Sequence, residues 1–212
     1  MRDLIIHGIG PHAREMADIV VPINAVAPTW RLLGFVDPQG TEARELDGHP
    51  VLGGAEALVD HPQASVLPEY GSGPVPVPDS RLATLVAPTA FVASSASLGP
   101  GCVLYPGCFV GAHAVLGRRV FCLANSVINH DDQIGDGVTL CAGAALAGHV
   151  LVEAGAYLGQ GCTVRQDLRV GAGSVVGMGS VVTRDVPAGV VVAGCPARVL
   201  ADRSPPAGAN EI

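Results

Sequence analysis

The sequence predicts a chain in two parts: an α/β unit over residues 1–80, then an all-β solenoid of stacked short strands over about 84–200. Three observations carry this reading. Aliphatic residues or cysteine recur at every sixth position from Val86 to Val182 without a slip. A Gly8-x-Gly10 turn separates an apolar run from an amphipathic one. Between the two patterns, residues 62–80 (PQASVLPEYGSGPVPVPDS) are rich in Pro, Gly and Ser.

The N-terminal pattern reads as βαβ. Leu4–Ile6 is an apolar strand, the Gly8-x-Gly10 turn follows, and Ala13, Met16, Ala17 and Val20 then share one face of a helix. RLLGFVDP supplies a second strand ending at Asp37, and HPVLGGAEALV a short strand with a following helix. A glycine-rich turn between strand and helix is the Rossmann-like arrangement that favours phosphate, although glycines also serve ordinary turns. Residues 62–80 read as an irregular linker carrying the domain boundary, and DRSPPAGANEI, within 201–212, as a loose tail.

The series from Val86 runs through Val92, Leu98, Leu104, Val110, Leu116, Cys122, Ile128, Ile134, Leu140, Leu146, Val152, Leu158, Val164, Val170, Val176 and Val182. A six-residue unit is too short for a helix and a turn. It fits one short strand and one tight corner, and the glycines three residues after many series positions (Gly101, Gly107, Gly137, Gly143, Gly155, Gly161, Gly173, Gly179) suit a corner with positive φ. Stacked units bury the series as one apolar ladder.

Composition excludes some functions. Only 4% of residues are aromatic against 49% hydrophobic, with 28 Gly and 17 Pro, which fits many short turns around small side chains. A net charge of −7 gives no field to draw nucleic acid or anionic lipid. All twelve basic residues are arginine. The six cysteines form no CxxC pair and read as small hydrophobes in a reducing compartment. The apolar runs fall short of the ~20 residues that span a bilayer, and the N-terminus lacks the charged and hydrophobic regions of a leader. The expectation is a soluble cytoplasmic protein with neither nucleic-acid nor membrane partners.

One polar cluster interrupts the solenoid: Asn129-His130-Asp131-Asp132, between Ile128 and Ile134. Next to a corner, His130 points outward rather than into the ladder. An imidazole accepts a proton at neutral pH, and a carboxylate beside it fixes the tautomer and stabilises the imidazolium. Asp131 or Asp132 can supply that carboxylate.

The hexad pattern resembles the hexapeptide-repeat acyltransferases. In that family three hexads make one coil of a left-handed parallel β-helix, an exception to the right-handed crossover rule. Within it the chain is similar to the sialic-acid O-acetyltransferase and nucleotide-aminosugar N-acetyltransferase family, of which the bacillosamine-pathway enzyme is a type. The likeness rests on HGIGPHARE, VINHDDQIGD and VVTRDVPAGVVVAGCPARVL. Pro11 stands where the family carries glycine, removing one backbone donor.

The resemblance implies acetyl-CoA as co-substrate, a nucleotide-linked amino sugar as acceptor, and a homotrimer with active sites between subunits. It assigns His130 as general base and Asp131, the acidic residue after it, as the orienting group. Donor contacts fall on Thr139, Gly148, Gln160 and Met178, with the Gly148 N–H as a candidate oxyanion donor. Arg184 and Arg198 are candidates for the CoA phosphates. With an 18-residue coil, His113, Asp131 and His149 stack at one corner, and one of the histidines is expected to touch Asp131 or the acyl donor. Gly10, Pro11 and His12 occupy the family's nucleotide-sugar turn, and Asp37 sits where a carboxylate accepts from base or ribose.

Three other readings use the same residues. An O-acetyltransferase for a sugar or sialic-acid hydroxyl needs the same base. A zinc hydratase of γ-carbonic-anhydrase type needs three converging ligands, but His113, His130 and His149, spaced 17 and 19 apart, do not reproduce that family's ligand pair. No metal is expected. A non-catalytic scaffold predicts no CoA binding.

Overall fold

The computed structural model describes residues 1–40 and 42–202; all but the first two residues of the segment read as a loose tail lie outside the described residues. The chain forms two compact units, Met1–Pro88 and Thr89–Ile212.

In the first unit β1 (Arg2–His7) is the middle of a parallel three-stranded sheet, between β2 (Trp30–Val36) and a later strand. Leu4, Ile5 and Ile6 are fully buried, which is why three consecutive aliphatic residues stand there. The helix α1 (Pro11–Val26) starts with Pro11, whose fixed φ suits a first helical position, and buries Ala13, Met16, Ala17, Ile19 and Val20. A short hairpin, β3 (Glu45–Leu46) and β4 (His49–Pro50), turns through Asp47 and Gly48, both at positive φ. The four-residue helix α2 (Ala57–Asp60) follows.

The segment read as an irregular linker contains the third strand of this sheet, β5 (Ser65–Pro68), parallel to β1 in the register Leu4↔Ser65 to His7↔Pro68. Its Val66 and Leu67 are fully buried. Two apolar residues gain enough from burial, ~1.5–3 kcal/mol each, to outweigh a composition that otherwise favours loop. Pro68 is tolerated because β5 is an edge strand and the proline ends it.

In the second unit two-residue strands stack into three parallel sheets. Phe91 pairs with Phe109, then Val127, Ala145, Thr163 and Val181 in succession. A second column runs Ser97, Val115, Gln133, Leu151, Arg169, and a third Val103, Phe121, Thr139, Tyr157, Val175. Every step is 18 residues, so three hexads close one turn of a parallel β-solenoid. The ladder from Leu104 to Val182 is 3% exposed or less at every sixth position. Val92 and Leu98, at its start, are half-buried, because an end residue stacks on one neighbour rather than two. At the far end Val190–Ala193 adds in parallel to Val175–Val176 and pairs antiparallel with Arg198–Asp202.

The corners fall into three columns. Two are mostly glycine: Gly101, Gly137, Gly155 and Gly173 with Arg119 in one, and Gly107, Gly143, Gly161 and Gly179 with Asn125 in the other, all at positive φ. The third holds His113, Asp131, His149 and Asp167, at φ 60, 61, 61 and 59. Each places a side chain in a conformation that costs a non-glycine residue ~1–2 kcal/mol. Four such residues in one column, where each of the other edges has one among glycines, mark it as the place where side-chain chemistry displaces backbone ease.

Candidate functional site

The third corner column brings together four of the residues singled out from the sequence. The His130 Nδ1 lies 2.9 Å from Asp131 Oδ2, and His149 Nε2 lies 3.8 Å from the same oxygen. The two imidazoles meet edge to face with centroids 5.2 Å apart. The His130 ring lies against the Cα of Gly148: a side-chain carbon built there falls 2.6 Å from Nε2 and 2.9 Å from Nδ1. Glycine at 148 is what gives the ring its seat. The hydrogen bond from His130, then the charge of His149, hold the Asp131 carboxyl below the usual carboxylate range. With Nδ1 bonded to a carboxylate, Nε2 is left as the proton acceptor, the tautomer a general base needs. The expected 18-residue stacking is present, and of the two flanking histidines it is His149 whose ring reaches the carboxylate. His113 contributes its backbone N–H to Ser95 Oγ, 3.1 Å away.

The neighbouring carboxylate is built differently. Asp132 is fully buried, its Oδ2 accepting the Asn129 N–H at 2.7 Å and its Oδ1 the Val150 N–H at 2.8 Å, one coil on. It ties two coils together two residues from His130. Burial raises its pKa from 3.8 to about 6 against the pull of those two donors. Asn129 adds a further tie, its Oδ1 accepting the His130 N–H at 2.9 Å. Their supporting role had no separate sequence signal, because Asp131 and Asp132 differ only in which side of the corner they face.

The remaining donor candidates lie elsewhere on the solenoid. Gln160 and Met178 occupy another edge, one coil apart, where Gly179 N–H donates to Gln160 O at 2.8 Å; both are exposed, Met178 at 79%. Thr139 is buried on a strand between Phe121 and Tyr157. Arg184 and Arg198 are exposed near the C-terminal end, and Arg198 Nη1 donates to Ala197 O. A single chain therefore does not gather these residues around His130.

The first unit holds a cleft of about 590 Å³ lined by Gly8, Gly10, Pro11, His12, Asp37 and Tyr70 among others. All four acceptor candidates, Gly10, Pro11, His12 and Asp37, meet here. Asp37 is buried and its Oδ1 accepts the Gln39 N–H. His12 Nδ1 lies 3.0 Å from Glu15 Oε2. A residue missed in the sequence stands among them. Glu69 is 6% exposed, and its two oxygens accept the Gly10 N–H at 2.9 Å and the Ala13 N–H at 3.0 Å. It lies 59 residues from Gly10, so no local pattern announces it.

His130, Asp131 and His149 could hold a metal ion: one ligand atom of each lies within 4.8 Å of the others. Of the cysteines, Cys102, Cys108, Cys122, Cys141 and Cys162 are buried, and burial pushes the Cys102 thiol to about 11 and Cys162 to about 12. Such thiols are poor nucleophiles. No described helix is long and apolar enough to cross a membrane.

No family model matches the chain. A curated relative, a GDP-perosamine N-acetyltransferase of Escherichia coli O157:H7, is 39% identical over 127 residues. That match takes in 58% of this chain and 57% of the relative's length. Among solved structures, PerB from Caulobacter crescentus, determined with CoA and GDP-perosamine, superposes with a TM-score of 0.82 at 26% identity, covering 95% of this chain and 98% of that one. The acetyltransferase domain of PglB from Neisseria gonorrhoeae FA1090 gives a TM-score of 0.82 at 26% identity, over 94% of this chain and 100% of the domain.

Proposed function

We propose that this chain, which resembles the hexapeptide-repeat nucleotide-sugar N-acetyltransferases in sequence and fold, transfers an acetyl group from acetyl-CoA to the amino group of a nucleotide-linked amino sugar. The observation that carries the reading is the imidazole of His130, seated against Gly148 and bonded through Nδ1 to Asp131. His130 Nε2 takes a proton from the acceptor amine as the nitrogen attacks the thioester carbonyl. Asp131 holds the ring and stabilises the imidazolium. The tetrahedral intermediate then collapses with loss of the CoA thiolate, and the proton on His130 serves to neutralise it. Acyl transfer is direct, with no covalent enzyme intermediate.

In this reading the solenoid winds left-handed and the first unit is a Rossmann-like acceptor domain with Gly10, Pro11, His12 and Asp37 around the substrate. Thr139, Gly148, His149, Gln160, Met178, Arg184 and Arg198 serve the CoA arm. One chain separates these residues over two edges and a face, which supports a homotrimer in which a neighbour completes the donor groove. Phe91 and Phe109 support it further: stacked 5.1 Å apart on one face, they are 55% and 38% exposed. The protein acts in the cytoplasm, where acetyl-CoA and nucleotide sugars are made.

The test is thiol release from acetyl-CoA with a panel of GDP-, UDP- and dTDP-linked amino sugars, free amino sugars and sialic acid. Turnover on an amino sugar that falls ~10²-fold or more in His130→Ala supports base and class together. Turnover on sialic acid alone moves the chemistry to a hydroxyl. CoA binding without turnover leaves the fold and removes the acceptor.

A further inference from the structure

The glycines of the HGIG turn read in the sequence as room for a phosphate, yet the space they leave is already taken. A side-chain carbon added at Gly8 falls 2.6 Å from Glu69 Cβ, and one at Gly10 falls 2.5 Å from Oε1 and 3.1 Å from Cδ. Both glycines are needed to admit Glu69. The carboxylate they admit sits at the start of α1 and uses the N–H groups of Gly10 and Ala13, donors that an anion at a helix N-terminus would need. Pro11 has no N–H to offer.

The charge of the cleft points the same way. Among the described residues its lining includes the carboxylates of Glu69 and Asp37, both buried, and no arginine. The imidazole of His12 is paired with Glu15. A diphosphate entering here would meet two carboxylates and find the Gly10 and Ala13 N–H groups already bonded to Glu69.

We infer that Glu69 is a specificity residue: it fills the anion position at the start of α1, so this cleft selects an acceptor that presents hydroxyl or ammonium donors to it and carries any phosphate elsewhere. The inference rests on reading the cleft as the acceptor pocket. The substrate class is accordingly an amino sugar recognised through its donor groups, or the base and ribose of its carrier, rather than through a diphosphate on the helix.

Inorganic pyrophosphate, which carries the charge without base or sugar, is the probe. It is titrated into the full chain by calorimetry, with the Gly10 and Ala13 backbone amides followed by NMR. Wild type is expected to give no shift at either amide. Glu69→Ala, which removes the charge and both Glu69 hydrogen bonds and leaves the Ala13 N–H only its bond to Gly10 O, is expected to bind pyrophosphate at least tenfold more tightly, with both amides shifting. Glu69→Gln, which removes only the charge, gains less, and it decides the matter if the alanine variant does not fold. A pyrophosphate shift at Gly10 and Ala13 in wild type, or folded variants that gain nothing, overturns the inference. Thiol release is measured in parallel on wild type. If the pyrophosphate pattern holds and no amino sugar is acetylated, the proposed activity fails while the role of Glu69 stands; the reverse pattern separates them the other way.

Discussion

Gly148→Ala asks whether the base is placed by the missing side chain beneath it. The new methyl falls 2.6 Å from His130 Nε2 and 2.9 Å from Nδ1, against ~3.5–4.0 Å for an unstrained contact, so about 1 Å of movement is required. The ring moves rather than the backbone, because the His130 side chain is 54% exposed and has solvent to move into. Gly148 is not among the residues at positive φ, so alanine brings no left-handed strain. Stability is therefore expected to change little, and kcat for thiol release to fall ~10²-fold, the usual cost of misplacing a catalytic group by ~1 Å. Blockage of the CoA arm is a rival cause of the same loss, and a double-mutant cycle separates the two. If Gly148 acts by seating His130, Gly148→Ala costs nothing further in a His130→Ala background. Additive losses, or a Gly148→Ala enzyme with wild-type kcat, refute the argument.

Three further outcomes follow from the same geometry. Burial holds the Asp132 pKa at about 6, above its value of ~3.9 in an unfolded chain, so the folded protein keeps a proton the unfolded one has lost. Its contribution to stability is complete below pH ~4 and lost as pH rises to ~6, by about 3 kcal/mol; the Tm advantage of wild type over Asp132→Asn should shrink across that window, and a constant difference contradicts it. Chelators should leave turnover unchanged while added Zn²⁺ inhibits, by drawing His130, Asp131 and His149 onto one ion, and His149→Ala should relieve the inhibition. Phe109→Asp should lower the mass measured by analytical ultracentrifugation, since it sets a charge in the stacked face of Phe91 and Phe109; an unchanged mass places the interface elsewhere.

How much of this was legible depended on the distance over which each signal acts. The ladder was read in full, because a solenoid turns long-range packing into a local rule repeated every six residues. The corner column was also within reach: His113, Asp131, His149 and Asp167 stand 18 apart where other edges carry glycine, so a missing glycine was itself a signal. With the 18-residue coil that the resemblance implies, that pattern places His149 beside Asp131. The strand Ser65–Pro68 was missed because two buried residues among prolines give too short a run to show a period, and only pairing with β1 makes it a strand. Glu69 was beyond reach for a stronger reason. The Gly8-x-Gly10 spacing states that something large approaches the backbone, and sequence cannot say whether it is a ligand or the chain itself. Here the chain supplies it, from 59 residues away. A glycine-rich turn is thus evidence for close approach, and the identity of what approaches is a tertiary fact, settled by a carboxylate that lies outside the motif.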